Sequence, residues 1–375
     1  MKVIIIGAGI AGLSIGWRLA EAGVDTVVLE RGQPGRGATW ASAGMLAATA
    51  ESGTAPPAEA AFAKKSAALW PDFASRLEAI SGTKVGYRCD GTLLVARNAA
   101  DAEAYRARAA ENELRFLEVA EARTMEPLLS NDFHGALWAP EDGQVDNRAL
   151  GRALSVALLR AGGTLLANEA AIRIETLANG IMAVCTPFGM HEADAIVLAA
   201  GAWSGQIAGL PPDAIPPVRP VKGEMIALAP PSGVSLPTRL VWGNEVYLVP
   251  RREQLFVGAT VREAGFDTAL TAEARAWLFA HAAGLMPALA GWTIAEHWAG
   301  LRPGSPDGLP VLGATTVKGL YVASGQYRNG ILFAPAIAEA THDFLLARRS
   351  PVEIAAFDPK RFQIDAGGAA RNHLR

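Results

Sequence analysis

Length, composition and charge exclude several classes of protein. The chain has 375 residues, of which 50% are hydrophobic, so it can form a large core and about two domains. With 34 basic and 37 acidic residues its net charge is −3, so no basic field favours nucleic acid. The two cysteines, Cys89 and Cys185, lie far apart, which predicts no disulfide framework, no metal site and a cytoplasmic location. No apolar run approaches the roughly 20 residues of a transmembrane helix.

Residues 3–30 predict a β-α-β unit. A β-branched strand is followed by Gly7-x-Gly9-x-x-Gly12, then by apolar residues at helical spacing, then by a second strand that ends at Glu30. A signal peptide would explain the apolar start, but it would not explain this order of elements. The unit is therefore typical of a dinucleotide-binding site.

Each residue of this motif has a physical task in such a site. Gly7 permits the turn out of the strand, Gly9 lets a diphosphate approach the backbone, and Gly12 lets the helix pack closely on the strand. The free amides at the helix N-terminus are expected to face the diphosphate. Glu30 is expected to accept hydrogen bonds from a ribose.

Further along the chain, apolar periodicity predicts alternating helices and strands. Residues 36–48 are rich in Gly, Ala and Ser and show neither helical nor strand periodicity. They are predicted either to let a flat ring system lie close to the backbone or to form an ordinary flexible loop. Residues 303–310 predict another loop. Helices are predicted over residues 58–80, 100–117, 147–161, 271–285 and 330–347. Strands are predicted over residues 92–96, around 172 and 182, and over 195–199, 223–228, 246–249, 255–261 and 320–323.

The predicted nucleotide-binding features fall in three separate blocks of the chain, with strand-rich material between them. This arrangement predicts two domains built from discontinuous segments, with a site between them. Proline pairs at 211–212 and 216–217 mark a crossing between the domains. The nucleotide-binding domain is predicted to comprise residues 1–85, 140–215 and 297–350. The substrate domain is predicted to comprise residues 86–139 and 216–296, followed by a C-terminal tail over residues 351–375.

Five segments resemble the flavoproteins of the D-amino-acid oxidase family, and within it the glycine oxidases, in the same order along the chain. They are GAGIAG…LER, ATWASAGMLA, LAAGAWS, GLRPGSPDGLPVLG and GQYRNGILFAPAIA. The resemblance implies an α/β fold of the glutathione-reductase type, with a Rossmann-like FAD-binding domain and a substrate domain with a mostly antiparallel sheet. Sarcosine oxidases of the covalent type hold the flavin through a cysteine near the GLRP segment. Neither cysteine here lies near that segment, so we expect non-covalent FAD.

The resemblance also implies which residues contact the cofactor. Glu30 and Arg31 would hold its adenosine end, Ala171 would offer backbone groups to the adenine, and residues 39–46 would follow the diphosphate and the flavin ring. Amides at the start of the last helix would stabilise negative charge on the reduced ring. The implied cofactor contacts are Gly7, Gly9, Ile10, Ala11, Gly12, Glu30, Arg31, Thr39, Ala41, Ser42, Ala43, Gly44, Met45, Leu46, Ala171, Gly201, Trp203, Arg302, Arg328, Asn329, Gly330, Ile331 and Leu332.

Four residues are the implied substrate contacts. Arg302 would take a substrate carboxylate in a bidentate pair, and Tyr247 would add a phenol hydrogen bond. Arg328 would be a third contact, through its main chain or its side chain, and Val261 would line the pocket wall. The alternatives are a structural ion pair for Arg302, an ordinary strand residue at Tyr247 and a core position for Val261.

The resemblance implies oxidative deamination of glycine, a small D-amino acid or a secondary amine. The substrate α-carbon would pass a hydride to flavin N5, the imine would hydrolyse to an oxo acid and ammonia, and dioxygen would be reduced to hydrogen peroxide. No protein base is required in this scheme, so His297 is not assigned as one, and Glu245 is expected to be a solvated loop carboxylate. A homo-oligomer and a role in thiamine biosynthesis are further implications.

Other functions stay open at this point. One is a D-amino-acid or proline-type dehydrogenase that passes electrons to a quinone or carrier, and another is a sarcosine oxidase. A module that acts on RNA would require a basic face, against which the charge balance argues. A carrier flavoprotein without turnover is the fourth alternative.

Overall fold

The computed structural model describes residues 1–111, 114–178, 180, 182–243, 245–347 and 353–362. The helices are α1 (Ile10–Glu21), α2 (Ala38–Ala41), α3 (Ala48–Glu51), α4 (Pro57–Ser81), α5 (Ala99–Glu111), α6 (Val119–Met125), α7 (Asn147–Arg160), α8 (Ala272–Leu285) and α9 (Gly330–Leu345). Short 3₁₀ helices occupy Gly201–Gln206, Pro212–Ala214, Pro287–Gly291, Ala355–Phe357 and Pro359–Phe362.

The strands belong to two larger and two smaller sheets in the described part of the chain. They are β1 (Lys2–Ile6), β2 (Asp25–Glu30), β3 (Met45–Leu46), β4 (Thr92–Val95), β5 (Arg115–Leu117), β6 (Ala136–Ala139), β7 (Gly143–Gln144), β8 (Thr164–Ala167), β9 (Arg173–Thr176), β10 (Met182–Thr186), β11 (Gly189–Ala193), β12 (Ala195–Leu198), β13 (Arg219–Ala229), β14 (Leu240–Trp242), β15 (Tyr247–Arg251), β16 (Gln254–Gly258), β17 (Thr293–Gly304), β18 (Val311–Ala314) and β19 (Leu320–Ser324).

The first large sheet has the strand order β18-β19-β12-β1-β2-β8. Its neighbours run parallel, except β18 against β19. The central strand β1 is fully apolar and buried from Val3 to Ile6, as expected for a strand covered on both faces. The predicted β-α-β unit is confirmed in β1, α1 and β2.

Helix α1 packs between this sheet and helices α7 and α9. It is buried on nearly all sides, which explains its apolar character around the whole circumference. A Cβ at Gly12 would lie 1.9 Å from the carbonyl oxygen of Gly7, so only glycine permits this close approach of helix to strand. The packing role predicted for Gly12 is thus visible in the geometry.

The second large sheet has the order β17-β13-β16-β15-β14-β4-β6-β5. Its described pairs are antiparallel, except β14 with β4. One apolar cluster joins this sheet to α8, and another joins β13, β15, β16 and β17 to Ala41 and Ala43 of the glycine-rich segment. The sheet therefore covers that segment, and the predicted fold class is confirmed.

The helix predicted over residues 100–117 is wrong at its C-terminal end. Helix α5 ends at Glu111, and residues 115–117 form strand β5. Phe116 and Leu117 pair with β6, so a tertiary contact overrides the helical pattern. The intervening residues 112–113 lie outside the described residues.

Three further predictions differ from the structure. The loop predicted over residues 303–310 begins inside β17, where Pro303 is tolerated because β17 is an edge strand. The strand predicted over 255–261 ends at Gly258, and the chain then turns into a cleft wall. Residues 36–48 contain the short helix α2 and the short strand β3 rather than a plain loop.

The predicted domain division stays a prediction, although strand β17 runs across its boundary at 297. Within the predicted tail, Phe357 is buried and its ring lies 5.1 Å from that of Phe62. Among the described residues, no helix is long and apolar enough to cross a membrane.

Candidate active site

A cleft of about 710 Å³ lies between the first sheet and the second sheet. Its walls come from the β1–α1 turn, the end of β2, the segment around α2, the end of β12, strands β13, β15 and β17, and the start of α9. The predicted site residues that line it are Gly7, Gly9, Ile10, Ala11, Glu30, Arg31, Thr39, Ala41, Ser42, Ala43, Gly44, Met45, Gly201, Trp203, Tyr247, Val261, Arg302, Arg328, Asn329, Gly330 and Ile331.

Four predicted residues lie outside this lining. Gly12 faces the β1–α1 packing, and Leu46 belongs to the buried core of the first layer. Leu332 is buried in α9, where its carbonyl accepts hydrogen bonds from side chains of α4. Ala171 packs against the core on the other face of the first sheet, and its predicted contact with adenine stays a prediction.

Charged and aromatic side chains mark one end of the cleft. The Glu30 carboxylate accepts the amides of Ala8 and Gly32, each at 2.9 Å, which fixes the end of β2 beside the glycine turn. The Arg31 guanidinium lies 3.7 Å from the centre of the Trp203 ring. Both residues were predicted at the adenosine end or near the cofactor, and the structure brings them together.

The middle of the cleft is formed by the segment around α2, held from several sides. The Thr39 hydroxyl accepts the Ile10 amide at 2.8 Å. The buried Asn147 donates to the carbonyls of Thr39 and Trp40, at 2.8 and 2.9 Å. The sequence did not identify Asn147, because a local pattern at the start of a helix does not predict hydrogen bonds to carbonyls that are distant along the chain.

Arg302 and Tyr247 face the other end of the cleft. The Arg302 guanidinium donates to the carbonyl of Thr260 at 3.1 Å and, among the described residues, pairs with no carboxylate. Burial raises the pKa of Tyr247, although Arg302 and Arg328 oppose the shift, so its hydroxyl remains a neutral donor. Two donors thus converge on one space, which disfavours the structural ion pair considered for Arg302.

A carboxylate that sequence reasoning missed completes this end. Glu51 of α3 lines the cleft, and its Oε1 lies 3.5 Å from Nε of Arg328. Burial raises the pKa of Glu51, and the charge of Arg328 opposes that shift. Its signal in the sequence is weak: an acidic residue directly after the small-residue segment.

Three other residues considered from the sequence have clear positions. Val261 lines the cleft and is 62% exposed, so the core alternative for it is wrong. The exposed Glu245 also lines the cleft and pairs with His281 at 2.9 Å. His297 lies outside the lining and pairs with the buried Glu224 at 3.0 Å.

One group outside the cleft has the residue types of a metal site: Glu339, His342 and Asp343 on α9. Glu339 already pairs with Arg18 at 2.8 Å, and His342 pairs with Asp343 at 2.9 Å. These protein partners account for the carboxylates, so we assign no ion to them.

Residues 2–343 match the family described as FAD dependent oxidoreductase. The chain belongs to this family. Its cofactor is therefore FAD, as predicted.

Relatives of this oxidoreductase support a narrower grouping. It is 36% identical over 97% of its length to the bifunctional protein ThiO/ThiG of Trichormus variabilis, of which it spans only 55%. It is 34% identical over 96% of its length to a glycine oxidase of Pseudomonas aeruginosa, of which it spans 98%. Its structure matches that of glycine oxidase from Geobacillus kaustophilus with a TM-score of 0.91 and 32% identity, over 97% of this chain and 99% of the other. The predicted resemblance to glycine oxidases is confirmed.

The residues of the cleft fit FAD. The first-turn amides of α1 have no intrahelical acceptor and lie where Gly9, Ile10 and Ala11 line the cleft. A Cβ at Gly9 would meet only the Thr39 hydroxyl, at 3.7 Å, so the space above this turn is open. Neither cysteine lines the cleft. We therefore expect acid precipitation to release all flavin into the supernatant, and flavin retained in the washed precipitate would contradict non-covalent binding.

The Arg302 side chain occupies space that is open because residue 223 is a glycine. A Cβ at Gly223 would lie 2.2 Å from Nη1 of Arg302. Since the guanidinium ends a flexible side chain, we expect Gly223→Ala to displace it with little loss of thermal stability. Steady-state kinetics should show kcat/KM for glycine lowered roughly 10- to 100-fold. The control is Gly205→Ala, because a Cβ at Gly205 would have its nearest neighbour at 3.8 Å. Equal kinetics for the two variants would contradict the assignment of Arg302 as a substrate contact.

Asp142 supports the helix that carries Glu51. Its buried carboxylate accepts the amides of Thr49 and Ala50, at 2.8 and 2.9 Å. Burial raises its pKa to about 6, although these amides oppose the shift.

This shift predicts a pH dependence of stability. The folded state binds the Asp142 proton more tightly than the unfolded state, so stability should fall by about 2 kcal/mol as pH rises from about 4 to 6. Urea unfolding of wild type and Asp142→Asn at several pH values isolates this contribution as a difference. A difference that is constant between these pH values would contradict the prediction.

Proposed function

We propose that this protein oxidises glycine, a small D-amino acid or a secondary amine with dioxygen. For glycine the overall reaction is glycine, water and dioxygen to glyoxylate, ammonia and hydrogen peroxide. The observation that carries the proposal is the convergence of Arg302 and Tyr247 on the same cleft as the dinucleotide-binding turn. Similarity to glycine oxidases along nearly the whole chain supports it.

The side chains act by binding and orientation. Arg302 binds the substrate carboxylate through two nitrogens, and Tyr247 donates its phenol proton to the same group. This fixes the α-carbon relative to the cofactor, and such positioning is worth a large part of the rate. When bound, FAD supplies the acceptor for two electrons, which dioxygen finally receives.

The lining of this end favours small substrates. The rings of Trp242 and Tyr247 meet edge to face with centres 5.9 Å apart, and both line the cleft. Met225 lies beside Tyr247, with its sulfur 3.8 Å from the phenol oxygen. Since bulky side chains border this end, we take small amino acids as the substrates to test: glycine, sarcosine, D-alanine and proline.

A role in thiamine biosynthesis is part of the proposal. It is supported by the similarity to ThiO/ThiG, although the chain spans about half of that protein. The cytoplasmic location and the homo-oligomeric state stay predictions.

The test is a product balance with purified protein in air. Glycine, sarcosine, D-alanine, D-proline and L-proline are supplied separately, and oxo acid, amine product and peroxide are quantified. Glyoxylate, ammonia and peroxide in equal amounts from glycine would support the proposal. Products that form only with an added quinone or dye would indicate a dehydrogenase, and no product from any amine would contradict the function.

A further inference from the structure

The Glu51 carboxylate lines the cleft beside Arg328, its cationic partner among the described residues. Its side chain is 18% exposed, so it is largely removed from bulk water yet open to the cleft. Arg328 approaches it at 3.5 Å, which is longer than a strong charge-assisted hydrogen bond. Arg328 is itself half exposed and lies over the Trp242 ring, at 5.5 Å.

The remaining neighbours do not neutralise this carboxylate. The side-chain amide of Asn329 has two N–H groups, of which one donates to Glu51 and the other to Glu59 of α4, the latter at 3.1 Å, but an amide carries no charge to balance either carboxylate. The charge of Glu59 further disfavours ionisation of Glu51. Because an ionised carboxylate has about four acceptor positions, Glu51 retains capacity for a donor that enters the cleft.

Glu51 and the carboxylate-binding pair act on the same space. The negative charge of Glu51 contributes to the raised pKa of Tyr247, and the positive charges of Arg302 and Arg328 oppose it. Arg302, Tyr247, Arg328 and Glu51 all line this cleft, and Glu51 lies 3.5 Å from Arg328, so hydrogen-bond donors and a carboxyl group border the same space. An amino acid at neutral pH carries a carboxylate and an ammonium group, so it matches both kinds of group.

We propose that Glu51 binds the ammonium group of the substrate. Arg302 and Tyr247 hold one end of the zwitterion, and Glu51 receives N–H hydrogen bonds from the other end. Because the carboxylate and the amine each have a binding group, the site would bind amino acids in preference to simple carboxylic acids. This inference rests on the proposed function, because it concerns the substrate of that reaction.

The test compares two ligands that differ in the amine. Acetate carries the carboxylate alone, and its binding to the FAD-loaded protein is measured by the change in the flavin absorption spectrum. Glycine is followed by steady-state kinetics. In Glu51→Gln we expect kcat/KM for glycine to fall roughly 10- to 100-fold, while the Kd of acetate changes less than about threefold.

The control is Glu103→Gln, an exposed carboxylate of α5 that does not line the cleft, which should leave both measurements within about threefold of wild type. Equal losses for acetate and glycine in Glu51→Gln would overturn the inference in favour of a structural role through Arg328. Unchanged glycine kinetics would also overturn it. If Glu51→Gln fails to retain FAD, Glu51→Asp and Glu51→Ala are compared with the same two ligands. Because Glu51→Asp keeps the charge, its kcat/KM for glycine relative to its affinity for acetate should exceed that of Glu51→Ala. A wild type that oxidises no amine would instead refute the proposed function.

Discussion

Arg302→Ala is expected to lower kcat/KM for glycine by roughly 10²- to 10³-fold while FAD content stays at the wild-type level. The guanidinium lines the cleft, donates to the carbonyl of Thr260 and lies beside the Tyr247 hydroxyl. Removing it leaves the substrate carboxylate without its cationic partner in a partly dry site. Steady-state kinetics with glycine and the absorption ratio of flavin to protein measure both effects.

Two further variants sharpen this result. Arg302→Lys keeps the charge but loses the bidentate geometry, so its activity should lie between wild type and Arg302→Ala. Arg262→Ala removes an exposed arginine that follows Val261 and should be close to wild type. Near-normal turnover of glycine by Arg302→Ala would remove Arg302 from the substrate site.

Gly12→Ala should greatly reduce the amount of FAD that copurifies and destabilise the protein by about 2 kcal/mol or more. The new methyl group would meet the Gly7 carbonyl at 1.9 Å, and this neighbour is backbone that cannot rotate away. Helix α1 would have to move off β1, and its N-terminus would leave the position where it faces the cofactor. Flavin content and thermal unfolding report the two consequences.

Gly291→Ala is the matched control, since a Cβ there meets no atom of the described residues within 4 Å. It should retain FAD and melt close to wild type. A Gly12→Ala protein with full FAD content would show that the helix tolerates a shift, and it would contradict the close-packing account of the glycine motif.

Local patterns predict the elements whose signal lies within a short stretch of chain. Strand β1, helix α1 and strand β2 follow from one glycine motif and two apolar runs, and the start of α8 follows from the cap residue Thr271. Strand β5 could not be predicted in this way, because residues 115–117 become a strand only where β6 is available to pair with them.

The sequence likewise identifies some residues of the candidate site but not the contacts between distant segments. Arg302 could be named because its segment resembles a family, and Tyr247 because that resemblance implies it, but their convergence depends on the register of the second sheet. Glu51 meets Arg328 only because α3 and the start of α9 border one cleft, and no spacing in the sequence reports that proximity. Asn147 likewise gains its role from a distant pair of carbonyls.

The most direct test of the account is an anaerobic absorption spectrum of the purified protein, titrated with glycine and then opened to air. We expect glycine to bleach the flavin band and air to restore it with release of hydrogen peroxide. A flavin band that no tested amine bleaches, whether glycine, sarcosine, D-alanine, D-proline or L-proline, would contradict the substrate site and leave only the FAD-binding fold.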